Sequence, residues 1–401
     1  SSIFYQGFQR KQGIINVRLS IVGALAFGLC AYNFQILQVG HNSKMVAIAL
    51  MPMVLAGVVY AYRKKAFLGA VLFGFALSFE IAANHPQITF YLGMIILAYV
   101  IAQLVSAIKN KTLPAFIKTS CFVLLATILA AGTNVNRLWP NWEYSKYTMR
   151  GGSELQMAHA QGNQTQGGLN KEYATAWSYG IEETPNLLIP NFNGGASASE
   201  LSKKSKTYEI LKQGGVPNAE QVIKQMPTYW GPQAFTAGPM YMGAISVFLF
   251  VLGLVVLQGT TKWWIAGISL LALLLGWGKH FMWLSSLFFD YVPLYNKFRV
   301  PSMILTILQL TIPLLGFYSL HQIFSDKIEK KRVIKGLKLA LGITGGFCLL
   351  FALLPSLAGS FTSPADSQFP DWLQQALPED RQSMLRSDAF RSLLFILAVQ
   401  L

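Results

Sequence analysis

The chain has 401 residues, of which 53% are hydrophobic and 12% charged. That charged share is about half of what a soluble domain carries, too little to cover a water-soluble fold of this size, so a soluble enzyme is excluded. A formal charge of +15 would suggest nucleic acid on a soluble protein; on so apolar a chain it reads as basic cytoplasmic loops, and no nucleic-acid partner is expected.

Several apolar runs approach or exceed about 18 residues, the length that crosses a hydrocarbon core. In chain order the sequence predicts nine spans, at roughly 15–38, 45–62, 66–83, 88–108, 113–133, 239–257, 263–277, 302–320 and 336–356, with a tenth starting near 389. Lys and Arg set the orientation. Arg10 and Lys11 precede the first span, Arg63, Lys64 and Lys65 separate the second from the third, and Lys109 and Lys111 the fourth from the fifth. Lys262 follows the sixth, and Lys327, Lys330, Lys331, Arg332 and Lys335 lie between the eighth and ninth. A consistent cytoplasmic side then places the loops 39–44, 84–87, 134–238, 278–301 and 357–388 outside.

The fold expected is an all-α polytopic membrane protein, a multi-span helical bundle with a small outward-facing mixed domain inserted between spans. Membrane helices occupy 1–133 and 239–356, the inserted domain 134–238, an outward loop 357–388, and a further span begins in 389–401. Ser1 at one end and the apolar FRSLLFILAVQL at the other read as cuts in a longer protein. The three cysteines, Cys30, Cys121 and Cys348, each sit in an apolar run and read as small buried hydrophobes. No CxxC or Cys/His cluster indicates a metal site or a disulfide framework. Within 134–238, ASELSKKSKTYEILKQGG predicts a short helix stopped by Gly-Gly, and PNAEQVIKQM another beginning near Pro217 or Asn218. NQT at 163–165 matches the glycosylation sequon.

Polar residues at the ends of spans carry the functional reading, because charge within a bilayer usually faces protein or water. GHNSK at 40–44 supplies His41, Asn42 and Lys44; the turn is either simply solvated, with Lys44 reaching to headgroups, or part of a shared pocket. EIAANHPQ at 80–87 supplies Glu80, Asn84, His85 and Gln87. Glu80 and Asn84 share a face if the helix continues through both. Glu80 is then a candidate general base or the partner of Lys44 or a Tyr, and Pro86 starts the next helix. WGKHFMW and YNKFRVPS place Lys279, His280, Lys297 and Arg299 in one outward loop. That suits an anionic partner, for which Arg offers a bidentate fork, or interfacial anchoring. Trp142, Tyr144, Tyr147, Trp177 and Tyr179 could stack on sugar faces or form the inserted domain's core. The chain has no GxxxxGK[ST] and no HExxH, and GITGGF lies within an apolar run, where its glycines serve packing.

Taken together, GHNSKMVAIALMPMVLAG, EIAANHPQITFYL, EYSKYTMRG, YATAWSYGIEETPNLLIPNF, YWGPQAFTAGPMYMGA and YNKFRVPSM resemble, in order, the YfhO-like bacterial membrane proteins of Bacteroidota. The likeness runs from about residue 15 to about 320. Such proteins look like GT-C glycosyltransferases, which take sugar from a polyprenyl-phosphate donor at the outer face of the cytoplasmic membrane. The resemblance implies a multi-pass inner-membrane enzyme, a polyprenyl-phosphate-linked sugar as donor, and an envelope glycan, lipid or protein as acceptor, among membrane lipids. Its essential Asp belongs to an early outward loop that this chain reads as lacking, so no catalytic residue is assigned. Glu80 and His85 are supporting candidates, and His41, Asn42, Lys44, Asn84, Gln87, Trp177, Lys279, Lys297 and Arg299 candidate substrate-binding residues. No cofactor is identified, and a divalent metal is left open. The rival readings are a transporter or flippase for a lipid-linked or anionic precursor, and an inactive scaffold. Polar clusters at span ends, not centres, favour an interfacial enzyme over a conduction path.

Overall fold

The computed structural model describes residues 2–151 and 168–399; the NQT sequon lies outside them. Among the described residues, six helical segments are long and apolar enough to cross a membrane: Ile15–Gln38, Asn42–Arg63, Pro86–Lys109, Leu113–Gly132, Pro301–Phe324 and Lys330–Leu353. A seventh results if the pair Thr260–Gly276 and Gly278–Tyr291, bent by 109°, is one span. The chain is a multi-pass helical membrane protein. Ala66–Ala82 and Ala244–Val256 are apolar but shorter, about 25 and 20 Å at the helical rise; the predicted spans 66–83 and 239–257 fall on them.

The first seven helices in chain order are α1 (Ser2–Gly28), α2 (Ala31–Gln38), α3 (Asn42–Arg63), α4 (Ala66–Ala82), α5 (Pro86–Lys109), α6 (Leu113–Gly132) and α7 (Val135–Ser145). The first predicted span is broken between α1 and α2. Asn33 Nδ2 satisfies the freed carbonyls of Phe27 and Gly28, at 3.1 and 3.0 Å. Cys30 lies in the break, buried, with its thiol on the Tyr241 carbonyl at 3.4 Å, and Cys348 is buried as expected. Cys121 departs from expectation: it is exposed on α6, whose outward face is apolar as lipid requires.

By contacts the chain forms two compact units. One contains Ser1–Gln35, Gly180–Leu257 and Ile312–Leu401; the other contains Ile36–Tyr179 and Gln258–Thr311. The division after Tyr179 falls inside the segment read as an inserted domain. Among the described residues of that segment there is no strand, only short helices and one isolated antiparallel bridge between Ser199 and Met226. Side chains close its backbone instead. Ser205 accepts from Tyr208 N to cap Lys206–Gln213, and Gly214 ends that helix. The second short helix starts after Asn218, which stands in the left-handed region.

The first unit explains why 357–388 is not simply a loop. Asp371–Ala398 is one helix running through the predicted start of a tenth span. Its charged residues are used inside protein. Asp380 accepts from the amides of Lys206 and Thr207, at 2.6 and 2.9 Å, so a carboxylate meets the positive end of a short helix. Arg381, fully buried, forms a bidentate pair with Asp366 at 2.6 and 2.8 Å. It also donates to the carbonyls of Pro227, Thr228, Tyr229 and Phe361. Leu373 and Leu377 of the same helix pack with Leu201, Leu211, Ile223 and Met226.

In the second unit, α3 and α4 form a hairpin at closest approach. A Cβ on Gly57 would lie 2.6 Å from the Phe73 Cα, and one on Gly69 would strike the Ala61 backbone. Small residues let these helices touch, as membrane helices do.

Candidate functional site

All eleven candidate residues fall in the second unit. Two turns meet there. The first, Gly40–His41, leads into α3; Gly40 has φ +80°, a conformation glycine reaches without penalty. The second, Ala83–His85, joins α4 to α5, with Asn84 at φ +58° reversing the chain. His41 precedes α3, exposed Asn42 is its first residue, and Lys44 lies in its first turn, only 8% exposed.

The Lys44 charge acts on both imidazoles. Burial first, then Lys44 and His41, push His85 down to about 4. Lys44 and then burial lower His41. Both rings are therefore neutral near pH 7 while the ammonium beside them carries the charge. His85 also caps α5: its Nδ1 accepts from the Ile88 amide at 3.4 Å. That assigns the proton of the neutral ring to Nε2, leaving Nε2–H as a donor.

Glu80 and Asn84 do not share a face, because α4 ends at Ala82 and Asn84 is left-handed. Glu80 is fully buried. Its Oε1 accepts from Thr89 Oγ1 at 3.1 Å, and Oε2 has no hydrogen-bond partner. It therefore braces α4 against α5, and its bonded partner is Thr89, not Lys44 or a Tyr as the sequence suggested. Asn84 is exposed and accepts from Asn141 Nδ2 at 3.0 Å.

Gln87 is likewise a brace. Its Nε2 donates to Tyr91 Oη and to the Arg299 carbonyl, both at 2.7 Å. The next amide, Val300 N, donates to Ala174 O at 2.9 Å. Held on both sides, the 299–300 peptide keeps Val300 at φ +61°, a costly conformation for a β-branched residue. Phe90 of α5 supports the same loop, with ring centroids 6.1 Å from Tyr295 and 5.2 Å from Phe298. Arg299 itself is exposed; its guanidinium donates to Tyr173 Oη at 2.6 Å and lies 5.8 Å from that ring's centroid.

The segment 168–179 is laced to this loop. Leu169 N meets Asn296 O, Lys171 pairs with Asp290 at 2.8 Å, and Lys279 N meets Ser178 Oγ at 2.8 Å. Half-buried Trp177 offers its carbonyl to Ser302 N. Gly278 turns the bent pair at φ +47°, where a Cβ would strike Ser178. Lys297 donates to the Arg150 carbonyl, and burial lowers its pKa. Lys279 stands exposed on the bend, and no hydrogen bond of its side chain joins it to the imidazoles.

The structure thus gathers His41, Lys44 and His85 into one group, and ties Gln87 of the same turn to the backbone of Arg299. Sequence reasoning missed Thr89, Tyr91 and Tyr173. Only Tyr91 had a readable signal, four residues after Gln87 on one helical face. Of the aromatic set, Tyr179 is core, whereas Trp142, Tyr144 and Tyr147 are exposed. No family model matches this chain, nor does any curated protein or solved structure.

Proposed function

We propose that the protein is an integral-membrane glycosyltransferase of the GT-C type, as the YfhO-like resemblance implies, and that His41, Lys44, His85 and Arg299 hold its donor's phosphate. The donor is a polyprenyl-phosphate sugar and the acceptor an envelope component, met at the outer face of the bacterial cytoplasmic membrane. The observation that carries this reading is Lys44: a cation buried in the first turn of a membrane helix, beside two imidazoles kept neutral. A cation and two neutral imidazole donors at the end of a span suit an anion arriving at the bilayer edge.

In the transfer, the acceptor oxygen forms a bond to the sugar's anomeric carbon while the carbon–oxygen bond to phosphate breaks. The bonding pair leaves with the phosphate, and the acceptor's proton goes to a general base. Lys44 and Arg299 stabilise the charge that gathers on the leaving phosphate, and His85 Nε2–H adds a neutral donor. Glu80 is too deeply buried to serve as the base; the resemblance gives that task to an Asp outside this site.

The test is transfer from a labelled polyprenyl-phosphate sugar by the full chain in proteoliposomes. Turnover should fall about 100-fold in Arg299→Ala and in His85→Ala at unchanged expression; unchanged turnover in both removes these residues from the site. A second reading, a flippase, draws support from the 109° break between Thr260–Gly276 and Gly278–Tyr291, since discontinuous helices are common in transporters. Movement of labelled lipid across the bilayer with its sugar still attached would favour it.

A further inference from the structure

The helix α7 is amphipathic in the wrong sense for water. Two of its polar side chains, Arg137 and Asn141, bond to the end of α4 and its turn. Just before it, Asn134 Nδ2 donates to the carbonyls of Ser78 and Ala130, both at 3.0 Å. Arg137 donates to the Ala82 carbonyl, and Asn141 to Asn84 Oδ1. These bonds pin one face of α7 to the end of α4 and its turn. At helical spacing on the opposite face stand Val135, Leu138, Trp139 and Trp142, all exposed, Trp139 by 66% and Trp142 by 55%. None of the residues of α7 is buried.

Position decides what covers that face. The helix begins three residues after α6 ends at Gly132. Leu124, Leu125, Ile128 and Leu129 carry the exposed apolar surface of α6, a membrane-spanning segment, to its last turn. The apolar face of α7 is therefore continuous with a lipid-facing surface and starts where the span leaves the hydrocarbon. Trp is the side chain most suited to that boundary, with an apolar ring and one N–H for headgroups or water.

We propose that Val135–Ser145 is a membrane-interface helix, with Val135, Leu138, Trp139 and Trp142 set into the headgroup–acyl boundary of the bilayer. It holds the adjoining α4–α5 turn at the depth of the lipid headgroups through Arg137 and Asn141. This assignment stands independently of the glycosyltransferase reading.

Spin labels test it directly. Single cysteines are placed at Asn136, Trp139 and Trp142 of the full chain in lipid nanodiscs, with exposed Cys121 changed to Ser; Cys30 and Cys348 are buried and do not label. Collision rates with oxygen, which enters lipid, and with a nickel chelate, which stays in water, are compared. The oxygen-to-nickel ratio should be about twofold or more higher at 139 and 142 than at 136. A nickel-dominated signal at 139 and 142 would mean that the face is in water and would overturn the proposal. Low access to both reagents would mean that protein covers it, and would overturn it equally. These positions are exposed, so the variants should melt as the parent does, and that measurement accompanies the collision data.

Discussion

Protonating His85 sets two positive charges against each other in a half-buried turn, because Lys44 stands beside it. Its pKa falls from an ordinary 6.5 to about 4, so between those values the unfolded chain binds a proton that the folded chain refuses. Stability is then full above pH 6.5 and declines as pH drops through that window. His41, lowered by the same ammonium, acts in the same direction. The melting temperature in nanodiscs should drop from pH 7 to pH 5, and drop less in His85→Gln; an equal drop in both would show that the imidazole is not the titrating group. At this scale the sequence was informative where chemistry repeated itself. Two turns carrying His and Asn suggest a shared locus, and the Lys44 charge lowers the pKa of both His41 and His85. It was silent where a partner is remote in sequence. Nothing local joins Arg299 to Tyr173, 126 residues away, and nothing in EIAANHPQ indicates that the helix stops before Asn84 and leaves Glu80 inside.

Helices in lipid gain little from apolar burial against one another, so close packing of small residues must hold them together. The α3–α4 hairpin relies on this at Gly57 and Gly69. Gly69→Ala should cost about 1–3 kcal/mol of unfolding free energy, since the Ala61 backbone cannot give way. Gly93→Ala on α5, where nothing lies within 4 Å of the added Cβ, should be neutral or stabilising by about 0.5–1 kcal/mol. Denaturant titration of the two variants checks the pair, and equal effects would refute the packing argument. Spans were readable because continuous apolar composition is itself their signal. Asp371–Ala398 was not, since its charged residues imitate a loop until Arg381 and Asp380 are seen engaging residues far away in sequence. The 109° bend after Gly276 was hidden too, because Gly-Lys-His reads equally well as the end of a span.

For the molecule as a whole, two features can be tested apart from catalysis. Arg381 joins Asp366 to the carbonyls of 227–229 and 361, all within the first unit. Arg381→Ala leaves Asp366 buried without its counter-charge and should cost about 3–5 kcal/mol, seen as a lower unfolding midpoint and faster proteolysis of 180–238. An unchanged midpoint would mean that the network contributes little. The second feature is sidedness: cysteines at His41, His85 and Lys297 should all react with an impermeant maleimide from one side of sealed vesicles, and reaction from opposite sides would refute a common site. On the proposed reading the Lys44 group receives a lipid-borne phosphate. Equilibrium binding of polyprenyl phosphate to the full chain in nanodiscs tests it most directly. Affinity should fall about 10-fold or more in Lys44→Gln and again in Arg299→Gln; unchanged affinity in both variants would contradict it.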